Sequence, residues 1–96
     1  MHVTEYSHLF EGERFQAPEG TLTAQVKTAE STGDCVSLLL WFYLESGAPI
    51  DDNLTVTLSS GSLSSQNGEE YKRRIVSEVQ AWLAGVRDGE PLQVLQ

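Results

Sequence analysis

Ninety-six residues are enough for one domain with a single modest core, and 40% hydrophobic with 21% charged residues is the make-up of a globular chain. Fourteen carboxylates against six Lys and Arg leave a net charge of −8, which argues against direct nucleic-acid binding, because neutralising phosphates needs a basic face. The longest apolar run, seven residues over 38–44, is far below the roughly 18 that a membrane helix needs.

The opening "MHVTEYSHLFEGE" has neither a basic nor an apolar leader region, so no secretory signal is expected. "TEYSHLFEG" reads as one helical turn with Thr4 as N-cap, Gly12 as the stop, and Tyr6, Leu9 and Phe10 on one side. "ERFQA" follows as a short strand ending before Pro18, and "PEG" is a tight turn. Over 21–29 the pattern alternates: Leu22, Ala24 and Val26 on one face, Thr21, Thr23, Gln25 and Lys27 on the other. "ESTGD" turns the chain into "CVSLLLWFYLE", and "SGAPIDD" turns it back into "NLTVTLSS", where Leu54, Val56 and Leu58 share a face. Short connections make these strands an antiparallel meander.

The period then changes. Asn67 with Glu70 three residues later forms a capping box, and Tyr71, Ile75, Val79, Trp82, Leu83 and Val86 recur at spacings of three and four. A helix over 67–87 is predicted, with Gly85 or Gly89 as its stop, Pro91 beyond, and "PLQVLQ" able to add a last short strand. The expected fold is α+β: an antiparallel β-sheet of four strands, or five, packed by one C-terminal amphipathic helix.

No catalytic constellation emerges. Cys35 is the single cysteine and follows Asp34 in an acidic region, the wrong setting for a reactive thiolate; it cannot form an internal disulfide, which fits a reducing, cytoplasmic compartment. His2 and His8 lack the companions that zinc requires. Asp51-Asp52-Asn53 lacks the calcium-loop spacing and reads as a turn. The helix entry "SSGSLSSQNGEE" lacks a P-loop lysine, and Glu69 and Glu70 already occupy its positive end. Lys72-Arg73-Arg74 reads as a solvated face with Glu69, Glu70 and Glu78 as i,i+4 partners. No cofactor or metal is expected.

The stretch over 35–45 is apolar on both faces. Val36, Leu38, Leu40, Phe42 and Leu44 make one face, for which the helix stripe is the natural cover. The other carries Leu39, Trp41 and Tyr43 among uncharged Thr, Ser and Gln, with Lys27 the one charge. Full exposure of these three would forgo roughly 1.5–3 kcal/mol each, so a cover is expected. It is either the N-terminal segment (Tyr6, Leu9, Phe10, Phe15), a curling of the sheet, or a protein partner contacting Leu39, Trp41 and Tyr43, most simply a second copy in a symmetric dimer.

The charge is lopsided: residues 1–66 hold nine acids and two bases, a balance of −7, and residues 67–96 hold five and four, −1. A basic target protein is therefore a partner the chain could accommodate. The leading reading is a non-enzymatic protein–protein interaction module, a small acidic subunit, adaptor or inhibitor. A second reading is an acidic decoy for the basic groove of a nucleic-acid-binding protein, and a third is a small ligand-binding domain or enzyme with a pocket between sheet and helix.

Overall fold

The alternating segments form a sheet and the stripe forms a helix. The computed structural model describes residues 6–59, 61, 66 and 68–95. Its elements are β1 (Phe15–Ala17), β2 (Gly20–Thr32), β3 (Cys35–Leu44), β4 (Leu54–Ser59), α1 (Gly68–Ala84) and β5 (Leu92–Val94). The strands lie in one curled sheet in the order β1-β2-β3-β4-β5. The first four make the antiparallel meander, and β5 joins β4 in parallel after the helical crossover. The α+β expectation holds, with the optional fifth strand present.

Two departures in β2 have local causes. The strand runs to Thr32 because the turn into β3 needs only Gly33 and Asp34, with Gly33 at φ 60° and no positive φ at Asp34, the pattern of a type II′ hairpin. Within it the register slips between Val26 and Thr28, so Lys27 is the extra residue of a β-bulge. Beyond the bulge Ala29 and Ser31 oppose Leu38 and Val36 on the inner face, and Thr28 and Glu30 oppose Leu39 and Ser37 on the outer one.

The inner face is the core. Leu22, Val36, Leu38, Leu40, Phe42, Val56 and Leu58 pack with Tyr71, Ile75, Val79 and Leu83 of α1, nearly all without exposed surface. The helix thus fills the space between itself and the sheet. Trp82 stacks on Phe42 with ring centroids 6.0 Å apart. Val86 was expected in this stripe, but α1 ends at Ala84 and Val86 is 85% exposed. The Gly85 that follows lacks the side chain to hold another turn, and its N–H returns to the Trp82 carbonyl at 3.3 Å. The expected caps, Asn67 and Thr4, lie outside the described residues.

Polar side chains of the helix stitch it to both sheet edges. Tyr71 accepts a hydrogen bond from the Ser59 N–H at 2.9 Å and donates to the Val94 carbonyl, joining β4 to β5. Gln80 acts as a short surrogate strand: its Oε1 accepts from the Gln16 N–H and its Nε2 donates to the Gln16 carbonyl, both at 2.8 Å. Arg74 donates to the Leu95 carbonyl at 2.8 Å. It does so instead of pairing with Glu70 or Glu78, and none of the expected i,i+4 ion pairs forms among the described residues. A backbone acceptor within reach satisfies the guanidinium without the side-chain ordering that an exposed pair requires.

Candidate functional site

The two faces of β3 differ sharply. Its even-numbered residues from Val36 to Phe42 are sealed in the core, whereas Cys35, Ser37, Leu39, Trp41 and Tyr43 are half-buried on the outer face. The register surrounds them with Thr23, Gln25 and Thr28 of β2 and Thr55, Thr57 and Ser59 of β4. Ser37 and Thr57 share a hydroxyl–hydroxyl hydrogen bond of 3.2 Å across the strands.

The described part of the N-terminal segment, from Tyr6 on, does not cover this face. Tyr6, Leu9 and Phe10 are buried in the same core as the helix. Phe10 lies 6.2 Å from Phe15, which in turn meets Phe42 edge-on at 6.3 Å. The segment is held in successive turns, with Leu9 N–H on the Tyr6 carbonyl at 3.0 Å and Glu13 N–H on the Phe10 carbonyl at 3.1 Å, rather than one helical turn. Phe15 decides the side: strand pairing with Leu22 points it inward, and Phe10 follows it.

Leu39, Trp41 and Tyr43 are nonetheless not bare. The bulge aims Lys27 across the sheet, placing its Nζ 5.1 Å from the Trp41 ring centroid and 5.3 Å from that of Tyr43. Such contacts contribute about 0.5–1 kcal/mol at exposed sites, and the lysine stem shields apolar surface. The full-exposure cost inferred from sequence is therefore too high, because neighbouring strands and Lys27 already remove part of this surface from water. The Trp41 indole N–H is buried with no acceptor among the described residues.

The other sequence candidates stay apart from one another. Cys35 is free and half-buried at the hairpin end. His8 is exposed and pairs with Glu11. His2 and most of the serine-rich helix entry lie outside the described residues. Among the described residues no group of three or more His, Cys, Asp or Glu converges, and no helix is long and apolar enough to cross a membrane. Asp52 belongs to a cluster that sequence reasoning missed. Arg87 forks onto Glu19 at 2.5 and 2.7 Å, reaches Asp52 at 3.0 Å, donates to the Leu83 carbonyl at 2.8 Å and sits 5.8 Å over the Trp82 ring. Hydrogen bonding from Arg87 holds the Glu19 carboxyl below its ordinary range, and the same bond raises Arg87 further above its own. The signal was an unpaired base just past the helix end, with no periodic partner to reveal it.

Replacing Cys35 by Ser together with His2→Ala and His8→Ala is expected to leave thermal melting unchanged, and with it any partner binding that the parent shows. A folded triple variant that loses a binding activity of the parent would restore a thiol or imidazole role. Comparisons of this chain with protein-family models, curated proteins and solved structures gave no match.

Proposed function

We propose that this chain is a non-enzymatic protein-interaction module whose contact is the outer sheet face centred on Leu39, Trp41 and Tyr43. One observation carries the reading: both covering segments of the chain, the N-terminal turns and α1, pack on the inner face. The outer face is left without a cover among the described residues. Trp and Tyr are the side chains most enriched at interface hot spots.

The simplest occupant is a second copy. The bulge leaves the outer face with one cation, Lys27, and one nearby anion, Glu30. A twofold axis can set Lys27 of one copy against Glu30 of the other, twice over. The free thiol of Cys35 fits a cytoplasmic setting.

Trp41→Ala and Tyr43→Ala should each lower the oligomer mass in sedimentation across a concentration series while leaving the far-ultraviolet circular dichroism intact. Trp82→Phe isolates the Trp41 emission for quenching in the same samples. A protein that stays monomeric at high concentration, with Trp41 already shielded from quencher, would overturn the reading.

Exposed carboxylates at Glu11, Glu30, Glu45 and Asp51 favour the acidic-decoy reading as the second. Binding of a basic target should then weaken steeply with ionic strength, whereas apolar docking should change little.

A further inference from the structure

Apart from its outer face, the sheet has one long edge along which no strand is paired among the described residues. β2 is 13 residues long, yet β1 pairs with it only at Gly20, Thr21 and Leu22. From Thr23 to Glu30 no described strand lies along that side. Groups on this edge border a groove of about 380 Å³, walled by Ser7, His8 and Glu11 on one side and Ala24, Gln25 and Val26 on the other.

The remaining edges are handled differently. Gln80 occupies the backbone of β1 at Gln16. At the opposite edge β5 is three residues long, and Arg74 takes the Leu95 carbonyl just beyond it. Short or covered edges are how native sheets avoid unwanted pairing. Among the described residues the groove edge of β2 is neither.

We propose that the β2 edge beside this groove, Thr23 to Val26, accepts an extended basic peptide segment of a partner protein by strand addition. Main-chain hydrogen bonds would supply the attachment, and alternate side chains of the added strand would face the groove wall. The bulge sets the length: past Val26 the extra residue turns the edge away, which confines pairing to the groove. Charge sets the partner. Glu11 stands in the wall and Glu30 lies farther along the edge, both exposed, while Lys27 is turned over the Trp41 and Tyr43 rings. A second copy paired along this edge would bring Glu11 of both chains to one seam, so a cationic segment is favoured over self-pairing there.

The test uses the full chain and a short capped peptide of alternating lysine and threonine, followed by calorimetry and amide hydrogen exchange. In the free protein, edge-facing amides between Thr23 and Val26 should exchange rapidly. At roughly nine-tenths saturation, every second amide there should slow about tenfold, since alternate residues point their N–H groups away from β3. Glu11→Lys should weaken the peptide roughly threefold to fivefold, and N-methylating alternate peptide amides should abolish binding. The proposal fails if the peptide does not bind at low salt, or if these amides are already protected in the free protein. It also fails if the N-methylated peptide binds equally, or if binding slows only amides of the acidic turns. Trp41→Ala should leave peptide affinity unchanged, which separates this surface from the outer face.

Discussion

Val79→Asp should leave no folded protein. Val79 has no exposed surface and sits mid-helix between Ile75 and Leu83 against the inner sheet face. Losing its apolar burial forfeits about 1.5–3 kcal/mol, and placing a carboxyl there without a partner costs several kcal/mol more. A domain of this size holds on the order of 5–15 kcal/mol in total. The cooperative thermal transition and the near-ultraviolet signal of the tryptophans should both disappear. Ser77→Asp, on the exposed side of the same helix, should shift stability by no more than about 0.5 kcal/mol. An unchanged melting temperature for Val79→Asp would refute the packing of α1 on the sheet.

Arg87→Ala should also destabilise the fold, although it lies outside every element. The guanidinium ties the β1–β2 turn, through Glu19, and the β3–β4 loop, through Asp52, to the Leu83 carbonyl at the helix end. Glu19 and Asp52 are both partly solvated, so their share is modest; the bond to Leu83 and the packing over Trp82 are better shielded. A loss of about 1–2 kcal/mol follows, or roughly 5–15 °C in melting temperature. The pH dependence has a definite sign. Glu19 has a folded-state pKa below its unfolded value of about 4.3, so its contribution is complete above that value and is lost as pH falls through the folded one. Calorimetry from pH 7 down to pH 3 should show the gap between the parent and Arg87→Ala narrowing below about pH 4. A gap that stays constant over that range would show that Glu19 contributes nothing to the staple.

Features with a local period were readable from the residues. The strands around Leu22, Leu40 and Val56 show alternation of two, and Tyr71, Ile75, Val79 and Leu83 recur at helical spacing; burial follows both patterns. Val86 shows the limit of that reasoning, because a stripe can continue in sequence after Gly85 has ended the helix. The bulge at Lys27 inserts one residue into an alternation that looks uninterrupted through 27, and only its pairing with β3 reveals the slip. Gln80 on Gln16 and Arg87 on Glu19 have no period at all, since each joins residues more than 60 positions apart. For the candidate site, the composition of the outer face was legible from β3 and its neighbours. The side taken by Tyr6, Leu9 and Phe10 was not, because three apolar residues suit either face and only Phe15 chooses between them.

The reach from Gln16 to Gln80, 64 residues along the chain, also orders events in time. Each hairpin of the meander closes over a short connection and costs little loop entropy. Pairing alone leaves much of the inner face around Val36, Leu38, Leu40 and Phe42 facing water, because α1, the longer of its two covers, lies beyond residue 59. Hairpins can therefore form and dissolve quickly without commitment, and the arrival of α1 makes the sheet permanent. The same dependence runs in reverse: an α1 that lifts away wets the inner face of β2, β3 and β4 at once. Helix and sheet are therefore expected to open together, with hydrogen exchange rising in both at once.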